Sequence, residues 1–247
     1  MARTFSPLVV STITATASLT SPVDLVCAFR DVPLTDGILA VRSADGKRVR
    51  PVGSLPLLDK TLGKHLTISM VADESLGSRC SVKVFENGTL QITGIKRSRD
   101  LKPVCASVAR SCGLFREAVG VRTRMVNAYF KQWERPIARS KLVEYLQCKS
   151  HTAMPPATFD PALSSIARVH FCFDTAVPCE IKQHRGVCRC KRSCAFLPSR
   201  MRRCFKVVAK VHATGTIMMS GACDENHVER AADLLQTYIL QAHLQVC

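Results

Sequence analysis

The sequence lacks features that mark several common classes of protein. No apolar run approaches the roughly 18 residues that a membrane-spanning helix needs, and residues 8–19 alternate Ser and Thr with apolar residues instead of forming the apolar core of a signal peptide. No glycine-rich nucleotide-binding loop is present, and no Ser, His and Asp arrangement stands out. We therefore expect a soluble, intracellular protein that is not an enzyme.

Acidic residues are also scarce. Lys and Arg number 35 against 19 Asp and Glu, which gives a formal charge of +16. Sparse acids argue against a site built on paired carboxylates, and the positive balance favours a polyanionic partner such as nucleic acid or an anionic membrane surface. The hydrophobic content of 47% is enough for a packed core, so the 247 residues suffice for one sizeable domain or two small ones.

Two segments of the sequence repeat each other. VKVFENGTLQITG ends at Gly94 and AKVHATGTIMMSG ends at Gly221, and both contain Lys-Val, a turn glycine and a closing Thr-Gly or Ser-Gly. Gly88 and Gly215 are 127 residues apart, as are Gly94 and Gly221. Alternating residues on both sides of a glycine turn predict a β-hairpin.

Helical patterns follow both hairpins. Residues 100–112 place apolar side chains at helical spacing behind an N-cap at Asp100, and residues 224–243 do so over a longer stretch. Upstream of each hairpin, a strand (PLVVSTITATASL or RMVNAYFKQW) runs into a short helix, the first of which is expected to start at Ser21 or Pro22.

Each half of the chain is therefore strand, helix, further strands with a hairpin, and a final helix. The sequence predicts an α+β fold made of two repeats, residues 1–118 and residues 119–247, with the helices on one face of an antiparallel sheet. The other face of such a sheet is left open. Trp133 is expected to be a packing residue beside the strand that opens the second half.

The hairpin residues divide between two faces, because residues two apart in a strand point to the same side. The side facing the helices is predicted to hold Val82, Val84, Leu90, Ile92, Ala209, Val211, Ile217 and Met219. The outward side is predicted to hold Lys83, Phe85, Gln91, Thr93, Lys210, His212, Met218 and Ser220. Positive charge, hydrogen-bonding groups and apolar surface together are typical of minor-groove-binding proteins, and an ordinary solvated face is the alternative.

The order of elements resembles that of the TATA-box-binding protein family. The likeness is carried by VVSTITATASL followed by VDL, by the paired hairpins and by the helix after each, and it covers nearly the whole chain. It is greatest to the divergent members from large nucleocytoplasmic DNA viruses, whose second half carries an insert similar to CRCKRSC. The resemblance implies a saddle, in which one curved antiparallel sheet lies with its concave face on a widened DNA minor groove. The helices on the convex face would then meet other transcription proteins.

Members of the family bend DNA with two pairs of Phe side chains that act as wedges. Only one of these four positions is occupied by Phe in this sequence. Phe85 matches one wedge, His212 stands at the repeat mate of Phe85, and the other two positions fall at His65 and Ser164. Without the full set of wedges, we expect unbent or weakly bent DNA held through charge.

The family's two minor-groove Asn residues would fall near Leu8 and Arg124, so neither is present. Besides the hairpin residues, the resemblance implies DNA contacts at Val10, His65, Arg124 and Val126.

A basic, cysteine-rich insert at about residues 179–204 interrupts the second half. Four thiolates would close a tetrahedral structural zinc site, for which the candidates are Cys188, Cys190, Cys194 and Cys204, with Cys179 or His184 as substitutes. Free thiols in a basic loop are the alternative, and disulfides are disfavoured in a reducing compartment. Because the insert has no acid after Glu180, its positive charges would repel each other unless metal or bound phosphate orders it. Since it interrupts the second half just before the hairpin, we expect it to project as a local module.

The sequence thus predicts a DNA-binding transcription initiation factor that recruits transcription machinery. Its expected partners are duplex DNA and either an initiation factor, such as a factor IIB-like protein, or RNA polymerase, with no membrane and no small-molecule substrate. Its expected place is the host nucleus, a cytoplasmic viral factory or the virion. The alternatives are a DNA-independent interaction scaffold and a basic nucleic-acid packaging protein.

Overall fold

The structure is a computed structural model that describes residues 4–51, 63–73, 77–113, 117–133, 136–148, 154–174, 185–187 and 204–244. The strands are β1 (Val9–Leu19), β2 (Ile38–Ser43), β3 (Val49–Arg50), β4 (His65–Asp73), β5 (Ser78–Phe85), β6 (Thr89–Ile95), β7 (Ala118–Lys131), β8 (Ala157–Thr158), β9 (Ile166–Asp174), β10 (Cys204–His212) and β11 (Thr216–Ala222). The helices are α1 (Leu25–Asp31), α2 (Leu101–Ser111), α3 (Arg139–Cys148) and α4 (Glu225–Leu244). Within these ranges, no helix has the length and apolar character needed to cross a membrane.

The chain divides into two compact units. The first unit is residues 12–124, and the second unit is residues 1–11 together with residues 125–247. Hydrogen-bonded neighbours follow the order β3-β2-β4-β5-β6-β1 in the first unit and β7-β11-β10-β9-β8 in the second. The boundaries between the two compact units lie within strands β1 and β7. The predicted boundary between the two sequence repeats, at residues 118 and 119, stays a prediction.

The hairpin of the first unit is β5 with β6, and its alternation is confirmed. Val82, Val84, Leu90 and Ile92 have no exposed surface, and burying each such side chain contributes about 1.5–3 kcal/mol. The helices bury matching apolar faces, which for α2 consist of Leu101, Val104, Cys105, Val108 and Ala109.

A side-chain cap decides where α1 begins, whereas α2 begins without one. The Asp24 carboxylate accepts hydrogen bonds from the backbone N–H groups of Val26 and Cys27 at 2.9 and 3.0 Å, and these bonds lower its pKa. Helix α1 therefore starts after Asp24, and the predicted start at Ser21 or Pro22 is wrong. Asp100 does occupy the N-cap position of α2, but its side chain makes no capping hydrogen bond, because a 3-10 turn leads into this helix.

The second unit repeats this arrangement. Its hairpin is β10 with β11, whose inward residues Ala209, Val211, Ile217 and Met219 are buried as predicted. Helix α4 contacts both hairpin strands, and α3 packs against α4, β8 and β9. The predicted face of α4 is confirmed, since Val228, Ala231, Leu235, Ile239 and Ala242 are all buried.

The closing glycine of each sequence repeat is a β-bulge. Ile13 pairs with Ile95 and Thr14 with Thr93, which makes Gly94 an extra residue in β6. The register of β11 shifts in the same way at Gly221. Both glycines have left-handed φ angles, +95° and +100°, and a Cβ on Gly94 would lie 2.9 Å from the carbonyl oxygen of Arg79. Glycine at these positions is therefore required by the backbone.

Part of the cysteine-rich insert packs against the second unit. The carbonyl oxygen of Gly186 accepts a hydrogen bond from the N–H of Cys172 at 2.7 Å, and a Cβ on Gly186 would lie 2.6 Å from the ring of Phe171. The expectation of a projecting module is therefore wrong for residues 185–187. The insert also ends before Cys204, which begins β10 and is 6% exposed.

The predicted metal ligands lie mostly outside the described residues. This holds for Cys179, His184, Cys188, Cys190 and Cys194. Within the described part of the chain, no three His, Cys, Asp or Glu side chains come together as a metal site would require.

Candidate nucleic-acid interface

The helix-free face of the first unit is rich in hydroxyl groups. The outward residues of β1, β4, β5 and β6 alternate with buried ones. They include Thr12, Thr14, Thr16, Ser18, His65, Thr67, Ser69, Val71, Arg79, Ser81, Lys83, Phe85, Thr89, Gln91 and Thr93. None of them is acidic, and most can both donate and accept a hydrogen bond.

Strand register aligns four of these residues with Arg42 of β2 in a row across the strands. We call it the first row. Its members, from β1 outward, are Thr16, Gln91, Lys83, Thr67 and Arg42. The Arg124 Nε donates to Thr16 Oγ1 at 2.8 Å, so that a second guanidinium lies at the β1 end. Because neighbouring strands are about 4.8 Å apart, the row spreads its cations across the face.

An aromatic pair lies beside the first row. His65 pairs with Phe85 across β4 and β5, and the ring centroids are 5.3 Å apart. Burial removes water from the His65 imidazole and lowers its pKa, and the positive charge of Lys83 lowers this pKa further. The lowered pKa favours the neutral imidazole, and the pair presents two flat rings next to a cation.

The second unit has a row in the same place, which we call the second row. Its members, from β7 outward, are Tyr129, Met218, Lys210, Arg168 and Thr158. Tyr129 is 45% exposed and Met218 is 50% exposed. The Tyr129 ring, with its phenolic hydroxyl, and the Met218 thioether therefore lie beside Lys210, and Arg168 follows one strand further.

The second unit does not repeat the aromatic pair. Ile166 pairs with His212 at the register position where the first unit has His65 opposite Phe85. Ser164, which the sequence suggested for this position, lies before β9, where its Oγ accepts a hydrogen bond from the N–H of Ile166.

Two further predicted contacts lie on β1 and β7. Val126 has no exposed surface, because β7 buries Val126, Ala128 and Phe130, so the prediction that it contacts DNA is wrong. Val10 is half-buried and lies two residues before Thr12, on the side that the outward threonines share.

Sequence reasoning missed several residues on these faces. Arg42, Thr67, Tyr129 and Arg168 lie outside the two hairpins, and the alternation of HLTISM and ARVHF was the available signal for Thr67 and Arg168. Trp133 is 61% exposed, and the Lys131 ammonium lies 4.9 Å from the centre of its ring. The expectation that Trp133 is a packing residue beside the strand that opens the second half is therefore wrong.

Comparison with known proteins supports the fold. No family model matches the chain, and no curated protein matches it by sequence. The solved structure of Methanococcus jannaschii TBP matches 96% of this chain and 99% of that chain, with a TM-score of 0.54 and 9% sequence identity. At this identity the likeness concerns the fold alone. The chain has the α+β fold of a TATA-box-binding protein, with two repeated units that each carry helices on one face of antiparallel strands.

Proposed function

We propose that this protein binds duplex DNA through the helix-free faces of its two units and acts in transcription initiation. The observation that carries the proposal is the composition of the two rows. They combine Arg42, Lys83, Lys210 and Arg168 with hydrogen-bonding and apolar side chains, and they contain no acid. A net charge of +16 adds a long-range attraction for phosphate.

The shape of these faces favours the minor groove. A row of Thr and Gln side chains on strands is shallow, and among the residues that the structure describes, no helix lies on this side to fit the deeper major groove. Hydroxyl and amide donors suit the adenine N3 and thymine O2 acceptors in the minor groove, and the cations suit the phosphates along its edges. The His65–Phe85 pair offers apolar surface of the kind that minor-groove binders place against sugars or between base pairs.

The opposite, helix-bearing side is the proposed surface for protein partners. Helix α4 leaves Leu240 39% exposed and Leu244 79% exposed near its end. Exposed apolar residues on a helix suit contact with another protein, here an initiation factor or RNA polymerase. The likeness of CRCKRSC to the insert of viral TATA-binding-protein-like proteins favours a role in viral transcription.

A salt titration tests DNA binding. Fluorescence anisotropy of labelled A·T-rich and G·C-rich duplexes should give affinities that fall linearly on a log–log plot against salt, with a slope of about −0.9 for each phosphate neutralised. The A·T-rich duplex should bind more tightly at every salt concentration. Absence of binding to either duplex at low salt would overturn the proposal.

A further inference from the structure

An exposed aromatic stripe runs along the end of β7. Its members Tyr129, Lys131 and Trp133 are two residues apart and share the outward side, because Phe130 and Gln132 between them are buried. Tyr129 is 45% exposed and Trp133 is 61% exposed. Tryptophan is highly buried on average, and neighbouring exposed apolar side chains mark interaction sites. The stripe is therefore a candidate binding surface.

We propose that this stripe binds a single-stranded nucleic acid by stacking its rings on unpaired bases. An intact duplex presents only base edges in its grooves, whereas an unpaired base presents a flat face against which an aromatic ring stacks. The inference goes beyond the proposed duplex binding and does not depend on it. The shared chemistry of the occupant is an unpaired base on a phosphate backbone, in DNA or in RNA.

The surroundings of Trp133 position its ring for stacking. The backbone N–H of Trp133 donates to the carbonyl oxygen of Thr4 at 3.1 Å, and the backbone N–H of Gln132 donates to that of Gly215 at 3.0 Å. The Lys131 ammonium lies 4.9 Å from the centre of the indole ring, which is a cation–π contact. The ammonium does not cover the ring, since Trp133 is still 61% exposed. A base therefore has indole surface to stack against.

Tyr129 is a second platform on the same stripe. It lies four residues before Trp133, which is about 13 Å along extended backbone. Its cross-strand partner Met218 is 50% exposed and adds apolar surface beside the ring. Rings this far apart suit two different bases of one extended strand, and aromatic side chains on a sheet hold unpaired bases in this way in other domains.

Charge favours a nucleic acid as the occupant. Strands β7, β10 and β11 contain no Asp or Glu. Lys131 lies between the two aromatic residues, and Lys210 lies two strands away in the row that begins at Tyr129. Each nucleotide of a strand brings a negative phosphate to these cations. Rings that stack on bases and cations that attract phosphates are the combination that single-strand-binding surfaces use.

Intrinsic fluorescence observes the stripe directly, because Trp133 is the only tryptophan of the chain. The protein is titrated with oligothymidylate and oligouridylate of about 12 nucleotides. Two further probes of the same length are an abasic strand, which has the phosphates without the bases, and an oligothymidylate–oligoadenylate duplex. Fluorescence of the tryptophan reports stacking, and anisotropy of the labelled probes gives their affinities.

Three variants separate stacking from charge. Trp133→Ala removes a platform, Trp133→Phe keeps a ring, and Leu244→Ala removes an exposed apolar side chain from the end of α4 as the matched control. Thermal unfolding is measured for each. If Trp133→Ala unfolds at a lower temperature, Tyr129→Ala replaces it, with the fluorescence of Trp133 still available.

We expect the base-bearing single strands to quench the fluorescence of Trp133, and the abasic strand and the duplex to leave it unchanged. Trp133→Ala should bind the base-bearing strands about tenfold more weakly, which corresponds to about 1.4 kcal/mol. Trp133→Phe and Leu244→Ala should bind them as the wild type does. The tighter of the two base-bearing strands identifies DNA or RNA as the occupant.

Quenching by the abasic strand or by the duplex, as strong as that by the base-bearing strands, would overturn the inference, because Trp133 would then not require an unpaired base. A folded Trp133→Ala variant with wild-type affinity for single strands would overturn it as well. Binding of the duplex without binding of single strands removes the inference and leaves the proposed function. Binding of single strands without binding of the duplex removes the proposed function and leaves the inference.

Discussion

His65 and Phe85 face each other on adjacent strands, with their ring centroids 5.3 Å apart and their planes inclined at 44°. The two residues are 20 positions apart in the sequence, and only the antiparallel pairing of β4 with β5 brings their rings together. Both lie on the side that carries Lys83 and Gln91. The pair is therefore an aromatic surface beside the first row, on the face proposed to contact DNA.

Replacement of Phe85 by Ala should affect DNA more than the fold. The ring lies on the outward side, so its loss should cost about 1 kcal/mol of unfolding free energy, while affinity for DNA should fall clearly, together with any weak bending of the duplex. Bending is measured by energy transfer between dyes at the two ends of a duplex, and stability by urea unfolding. Phe130→Ala is the control for a buried ring, since Phe130 has no exposed surface and should lose about 3–5 kcal/mol. Unchanged affinity together with unchanged bending by Phe85→Ala would remove the aromatic pair from the interface.

Removal of a cation from either row should reduce the salt dependence of binding. Lys83→Gln and Arg168→Gln should each make the log–log slope against salt shallower by about 1, because each variant releases roughly one counterion fewer. Lys102→Gln, on the exposed side of α2, should leave the slope unchanged. Equal slopes for all three variants would place the DNA elsewhere on the molecule.

Substitution at the bulge glycine should be costly. Gly94→Ala combines a left-handed φ with a Cβ 2.9 Å from the Arg79 carbonyl oxygen, and the left-handed conformation alone costs an alanine about 1–2 kcal/mol. Gly46→Ala isolates that conformational cost, because Gly46 has φ +71° and nothing within 4 Å of its added Cβ. We expect the Gly94 variant to lose clearly more unfolding free energy in urea than the Gly46 variant. Equal losses would mean that the bulge relaxes to admit a side chain.

Buried His227 should make the free energy of unfolding depend on pH. This free energy should fall as the pH is lowered through the range in which a histidine of the unfolded chain takes up a proton. His227 is buried between the rings of Phe173 and Phe205, and burial lowers its pKa although Asp224 acts in the opposite sense. The unfolded chain then binds more protons than the folded chain below about pH 6.5, so protonation favours unfolding there. Between about pH 7.5 and pH 5.5, His227→Leu should lose less stability than the wild type. An identical pH dependence in both proteins would show that His227 does not contribute.

A zinc site in the cysteine-rich insert predicts near-stoichiometric zinc in the purified protein. Cys190→Ser and Cys194→Ser should both lose the metal, because a closed structural site needs all four ligands. Elemental analysis of the wild type and the two variants is the measurement, with Cys27→Ser as control, since Cys27 is exposed on α1. A wild type that is folded and free of metal would exclude the site.

The repeated hairpins show what the sequence by itself determined. Alternation in VKVFENGTLQITG and AKVHATGTIMMSG correctly divided the inward from the outward residues, because a strand has a period of two and a one-residue error would place the whole apolar set on the wrong side. Apolar residues at helical spacing were equally clear along the whole of α4. Local patterns of this kind need no knowledge of what packs against them.

Only the tertiary structure shows which outward residues of different strands are neighbours. Alternation could not show that Thr16, Gln91, Lys83 and Thr67 form one row, or that Ile166 rather than Ser164 lies opposite His212, because register is set by pairing between distant strands. Val126 was misplaced for the same reason: an apolar residue in a long strand can face either side until the pairing of β7 with β11 is known. Patterns along the chain therefore predicted the elements and their inward sides, whereas contacts between residues far apart in the chain built the candidate site.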